Sequence, residues 1–126
     1  MAEPVFVFGS NLAGRHGAGA ALYAVRNRGA VWGCGIGHHG DSYAIPTKGC
    51  HLEVLGLEEI GDYITNFLSY AARHPELTFN VTRIGCGLAG YADDQMAPLF
   101  SPVENCFYPT EWKPWLGEAA HYHDLH

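Results

Sequence analysis

The stretch that most constrains this chain is Phe79 to Tyr91, F-N-V-T-R-I-G-C-G-L-A-G-Y. Leu77, Phe79 and Val81 alternate with polar neighbours, which predicts a strand with one buried face. Gly85, Gly87 and Gly90 then fall within six positions. Glycine at that density costs backbone entropy, so a folded chain keeps it where the backbone turns to positive φ or passes close to something else. Ala92-Asp93-Asp94-Gln95-Met96 follows, where an aspartate caps a helix predicted to run to about Phe100. Strand, glycine loop and helix start, in that order, offer backbone N–H groups and a helix dipole to an anion. The same order serves a plain tight connection equally well, and one loop does not choose between them.

The beginning of the chain repeats the pattern. Val5 to Phe8 is a compact apolar run ending in Gly9, and residues 10–17 are turn-rich. From Ala18 to Arg28, small residues with Leu22, Tyr23 and Val25 predict a helix closed by Asn27 and Gly29. A third cluster, G-C-G-I-G-H-H-G over residues 33–40, formally matches G-x-G-x-x-G at Gly35, Gly37 and Gly40. A dinucleotide fingerprint follows a strand and opens a helix, whereas this cluster leads into a predicted strand over Ser42–Pro46, so a Rossmann site is rejected. Thr47-Lys48 ends that strand at the level where the other loops of an α/β sheet emerge. Leu57 to Arg73 is the clearest helix: Leu57, Ile60, Ile64, Phe67, Leu68 and Ala71 share one face, and His74-Pro75 stops it. Val103 to Tyr108 reads as a last strand, which Pro102 marks as an edge. In the tail, prolines argue against a long helix, and Trp112 and Trp115 are expected to cover an apolar surface.

Strands alternating with helices, with glycine loops at the strand ends, predict a three-layer α/β/α domain with a mixed sheet. The 126 residues suffice for one domain, its core spanning about residues 4–108 and residues 109–126 forming a C-terminal extension. A net charge of −6 argues against gripping nucleic acid by counterion release, yet leaves a phosphate ligand open, because backbone N–H groups hold one without lysine. No apolar run reaches the ~18 residues of a membrane span, and no membrane partner is expected. The opening M-A-E-P-V-F-V-F-G-S has no basic n-region, so Cys34, Cys50, Cys86 and Cys106 are read as reduced thiols of a cytoplasmic protein. Cys34, His38, His39, Cys50 and His51 assemble into a zinc site only on paper, since their spacing matches no common ligand pattern. Neither a metal nor a cofactor is expected.

Three segments together resemble the macro domains, and closest among them the subgroup that removes terminal ADP-ribose. Phe8-Gly9-Ser10-Asn11 with the run Gly14 to Ala21 resembles their first ligand loop. Ala44-Ile45-Pro46-Thr47-Lys48 resembles their strand-end segment, and Arg83-Ile84-Gly85-Cys86-Gly87-Leu88 matches their second phosphate loop. The pattern, in the family's order from Val5 to about Phe100, is also similar to small bacterial and phage proteins.

The resemblance implies that two glycine loops clasp the diphosphate of an ADP-ribose-like nucleotide. Ser10, Arg15, Gly17, Ala18 and Gly19 would lie on one side, and Gly85, Cys86, Gly87, Leu88, Ala89 and Gly90 on the other. Asn11 would meet the distal ribose through its amide, and Tyr91 would stack on the ligand or wall it off. The cleft would be formed by loops 9–19, 33–41 and 85–91. Two departures stand out: no aspartate precedes the first strand to read adenine, and Ala89 replaces the aspartate that the hydrolases carry after Gly-Cys-Gly-Leu. Lys48 stands at their lysine nucleophile, with His16 as an acid/base candidate over the ligand and Asp93 as a substitute proton carrier. Two functions follow from the resemblance: hydrolysis of an ADP-ribosyl linkage, or a non-catalytic module that sequesters a cyclic ADP-ribose-type signal, a role suited to phage counter-defence. For Cys86 the residues themselves offer two readings, a thiol activated by a helix N-terminus and, favoured, a small residue fitting a tight turn.

Overall fold

The structure, a computed structural model, describes residues 3–124. Its elements are β1 (Val5–Asn11), α1 (Gly19–Asn27), β2 (Gly37–His39), β3 (Ser42–Lys48), α2 (Leu57–Ala72), β4 (Phe79–Val81), α3 (Asp93–Met96), β5 (Cys106–Pro109), α4 (Lys113–Leu116) and β6 (His121–His123). They form one six-stranded sheet in the order β2-β3-β1-β4-β5-β6. Every neighbouring pair is parallel except β2 with β3, so the sheet is mixed and the fold is α/β.

Alternation along β1 divides the core. Val5 and Val7 point to the side where Ile60, Ile64, Phe67 and Ala71 of α2 are wholly buried. Each large side chain buried there contributes about 1.5–3 kcal/mol. Phe8 points to the other side, where it packs with Ala44 and with Ala21 and Ala24 of α1, and half-buried Phe6 joins them. Helices therefore lie on both faces, giving three layers.

The C-terminal part differs from the sequence expectation. The last predicted strand begins only at Cys106 and is not an edge, because β6 pairs beyond it. Pro102, read as an edge marker, lies outside the strand. The segment 109–124 packs on the main core through a few side chains. Trp112 is completely buried, its ring 5.1 Å from Phe100 and 6.3 Å from Tyr108. Leu116 and Ala120 join the same cluster, whereas Trp115 stays exposed. The helix after the second glycine loop is a single α turn that tightens into a 3₁₀ turn over Ala97–Leu99, where Pro98 supplies no N–H. Asp93 does not cap it. Ala92 precedes the helix, and its N–H donates to Gln95 Oε1 at 3.0 Å.

Because β1, β3 and β4 are parallel, their C-terminal ends and following loops meet at one edge of the sheet. Register slips by one residue at the end of β3, so that Lys48 and not Thr47 lies beside Asn11.

Candidate functional site

At that edge lies a cleft of about 1550 Å³. One wall is the β1–α1 loop, which is rigidly built. Asn11 Nδ2 donates to the Arg15 carbonyl and Asn11 Oδ1 accepts from the Arg15 N–H, both at 2.9 Å. The Ser10 hydroxyl donates to the carbonyl of Gly35. The segment 33–35 packs so closely that a Cβ on Gly35 would stand 1.9 Å from the Asn11 carbonyl oxygen, and one on Gly14 2.2 Å from Gly33. Beyond this braced turn, Gly17, Ala18 and Gly19 line the cleft and lead into α1. No side chain caps that helix and its first turn holds no acid, so its first N–H groups and positive dipole end are left for an anion.

The opposite wall is the loop after β4, held from behind by Asp93. Arg83 donates to both carboxylate oxygens, Nε to Oδ1 at 3.0 Å and Nη2 to Oδ2 at 2.6 Å. Oδ1 also accepts from Trp112 Nε1 at 2.8 Å and from Cys86 Sγ at 3.4 Å. The Arg83 pairing, helped by Trp112 and Cys86, holds the Asp93 carboxyl below the ordinary carboxylate range. Burial, and then the Asp93 contact, push the Cys86 thiol up to about 12. Gly85, at φ +80°, lies against Met96, where a Cβ would be 2.6 Å from Sδ.

The charge pattern of the cleft is one-sided. Of the seven Lys and Arg residues of the chain, four line it: Arg15, Arg28, Lys48 and Arg83. No carboxylate lines it among the described residues. Arg83 is matched by Asp93, and Arg28, at the far end of the cleft, by Glu3 at 3.2 Å. Arg15 and Lys48 form no ion pair among the described residues. In a chain of net charge −6, this concentrates positive potential where two backbone loops face each other.

Most of the residues expected from sequence come together here. Ser10, Asn11, Arg15, Gly17, Ala18 and Gly19 line one side, Gly85, Cys86, Gly87, Leu88 and Ala89 the other, and Lys48 lies between. Four do not. His16 is completely buried behind its loop, with Nε2 3.1 Å and 3.0 Å from the carbonyl oxygens of Val31 and Cys34. It braces the loop and does not hang over a ligand. Asp93 has both oxygens engaged behind the wall. Gly90 lies outside the lining, and Tyr91 turns away, its hydroxyl donating to the Leu55 carbonyl at 2.6 Å. Asn11 lines the cleft while one N–H and its amide oxygen bond Arg15, so it also braces the loop.

The helix-dipole activation of Cys86 does not hold, since α3 is one turn long and the thiol is pushed up. The third glycine cluster contributes no wall: residues 34–35 pack behind the first loop, and residues 37–39 are the edge strand β2. Nor do the paper zinc ligands converge, as no group of three His, Cys, Asp or Glu suited to a metal exists among the described residues. No helix among them is long and apolar enough to cross a membrane.

Sequence reasoning missed the apolar rim. Beside the expected Leu88, Trp32 and Leu52 line the cleft while 59% and 42% exposed, and Trp32 lies against Gly17. A tryptophan between Val31 and the glycine cluster was the available signal. Compared with known protein families, curated proteins and solved structures, the chain matches none.

Proposed function

We propose that this protein binds ADP-ribose or a close relative and does not turn it over. The observation that carries this is the meeting of two cations without an ion pair among the described residues, Arg15 and Lys48, with side-chain-free backbone at Gly17, Gly19 and Gly87 and the uncapped start of α1. A diphosphate between the two loops accepts from these N–H groups and is neutralised by the two side chains. Trp32, exposed beside Gly17, offers a face for the base. The terminal ribose extends toward Lys48.

Hydrolysis is disfavoured by the same residues. Attack by Lys48 needs a partner to move protons. Ala89 has no such group, Asp93 is consumed by Arg83 and Trp112, and His16 is buried. Titration calorimetry with ADP-ribose, ADP and AMP tests the binding. Saturable heat is expected for ADP-ribose, weaker for AMP, with affinity falling as salt rises. Absence of heat with any nucleoside diphosphate sugar would end this reading. Ligand released by denaturing the complex is expected to be intact and stoichiometric.

A further inference from the structure

The cleft does not stop at the two loops. On the face carrying α1, that helix covers β1 and β3, while α2, α3 and α4 all pack on the opposite face. Strands β4 and β6 consequently show an open face beside α1. Parallel pairing sets Asn80 of β4 next to Phe6 of β1. Phe6, Asn80 and Thr82 floor a trough bordered by Tyr23 and Arg28 on the α1 side and by His123 on the other. Phe6 lies five residues before Asn11, so the trough runs about 16 Å back along β1 from the loop end. The volume of about 1550 Å³ also exceeds the ~300–1,000 Å³ of ordinary small-ligand pockets. A diphosphate sugar held at the loops leaves this part of the cleft unfilled.

We propose that the trough is a second nucleoside subsite, so that the ligand carries a further nucleoside joined through phosphates to the first; this rests on the diphosphate reading of the loops. Three features fit a base and its phosphate. Phe6 and Tyr23 pair at 5.0 Å with Tyr23 43% exposed, presenting aromatic surface to a base. The Asn80 side-chain amide has no hydrogen-bond partner among the described residues, and an amide both donates to and accepts from a base edge. Arg28 spends one N–H on Glu3, its guanidinium carbon lies 6.0 Å from the Tyr23 ring centroid, and its Nε is buried with no hydrogen-bond partner among the described residues. A guanidinium with donors to spare suits a phosphate oxygen. No carboxylate of the described residues lies in the lining to repel a polyanion.

The test compares ADP-ribose with diadenosine tetraphosphate by calorimetry, on the unaltered protein and on Asn80→Ala and Arg28→Gln. The two-nucleoside probe is expected to bind at least tenfold more tightly than ADP-ribose. Each variant should remove most of that advantage while leaving ADP-ribose affinity within twofold. As a readout independent of how the variants fold, the side-chain amide resonance of Asn80 in the unaltered protein should shift with the tetraphosphate and not with ADP-ribose. Equal affinities with an unmoved Asn80 resonance would overturn the subsite and leave the loop reading standing. Tight tetraphosphate binding without ADP-ribose binding would support the trough and sink the ADP-ribose reading. Binding of neither overturns both.

Discussion

Asp93 and Arg83 form a two-pronged pair, Nε to Oδ1 at 3.0 Å and Nη2 to Oδ2 at 2.6 Å, in which Arg83 lines the cleft and Asp93 stands behind its wall. Trp112, from the C-terminal segment, closes the arrangement by donating to the same carboxylate. The tail thereby fixes a loop about twenty residues upstream.

Asp93→Asn should cost about 2 kcal/mol in urea unfolding at pH 7, since a charged hydrogen-bonded pair is weakened and Cys86 and Trp112 lose an anionic acceptor. The sign of the pH dependence follows from the lowered carboxyl. Stability from this group is fully present above the unfolded value near 3.8 and is lost as pH falls through the lower native value. The gap between the parent and Asp93→Asn should therefore narrow on acidification below pH 4. A gap unchanged down to pH 2 would show that the pair contributes nothing through its charge.

Cys86 provides a chemical check on the same corner. With its thiol pushed up to about 12, it should resist iodoacetamide at pH 8, because the thiolate is the reacting species. Cys50, which is exposed, should be labelled first. Peptide mass spectrometry after timed quenching reads the order, and rapid labelling of Cys86 in the folded protein would refute its enclosure.

The inner strands and the two long helices were legible because their signals are local, whereas β2 was hidden in the glycine cluster. The stripe from Leu57 to Ala71 has only one way to bury itself, and Val5, Val7, Phe79 and Val81 announce buried faces. The C-terminal segment was not legible: Trp112 is buried through contacts with Phe100 and Tyr108, and β6 exists only because β5 offers it an edge. At the site, sequence identified both loops but not the direction of their side chains. Asn11, His16, Asp93 and Tyr91 are polar groups that bind their own protein, which depends on contacts 4 to 36 residues away.

Glycines of the cleft separate into those that packing requires and those that leave space. Gly35→Ala forces a methyl to 1.9 Å from the Asn11 carbonyl oxygen, which is backbone and cannot swing aside. It should cost about 3 kcal/mol or more, as severe overpacking does. Gly87 has nothing within 4 Å of an added Cβ, so Gly87→Val should change the melting temperature little. The same valine projects into the lining and should weaken ADP-ribose binding at least tenfold. Comparable melting losses for both variants, or undiminished binding by Gly87→Val, would contradict this division.

Lys48 separates binding from chemistry most sharply. It lies beside Asn11 at the slipped end of β3, lines the cleft and forms no ion pair among the described residues. A lysine that only neutralises a diphosphate contributes about 1.5–3 kcal/mol as a charged hydrogen bond, so Lys48→Ala should weaken ADP-ribose binding ten- to about a hundredfold. Ala89→Asp, which puts a carboxylate into the same lining, should also weaken binding, by charge repulsion. In the parent protein the ligand should be recovered unchanged after prolonged incubation, and chromatography of the released nucleotide measures this beside the calorimetric affinity. Turnover of an ADP-ribosyl linkage by the parent, abolished by Lys48→Ala with affinity retained, would make Lys48 a nucleophile and replace the non-catalytic reading. Affinity untouched by Lys48→Ala would place the diphosphate away from this end of β3.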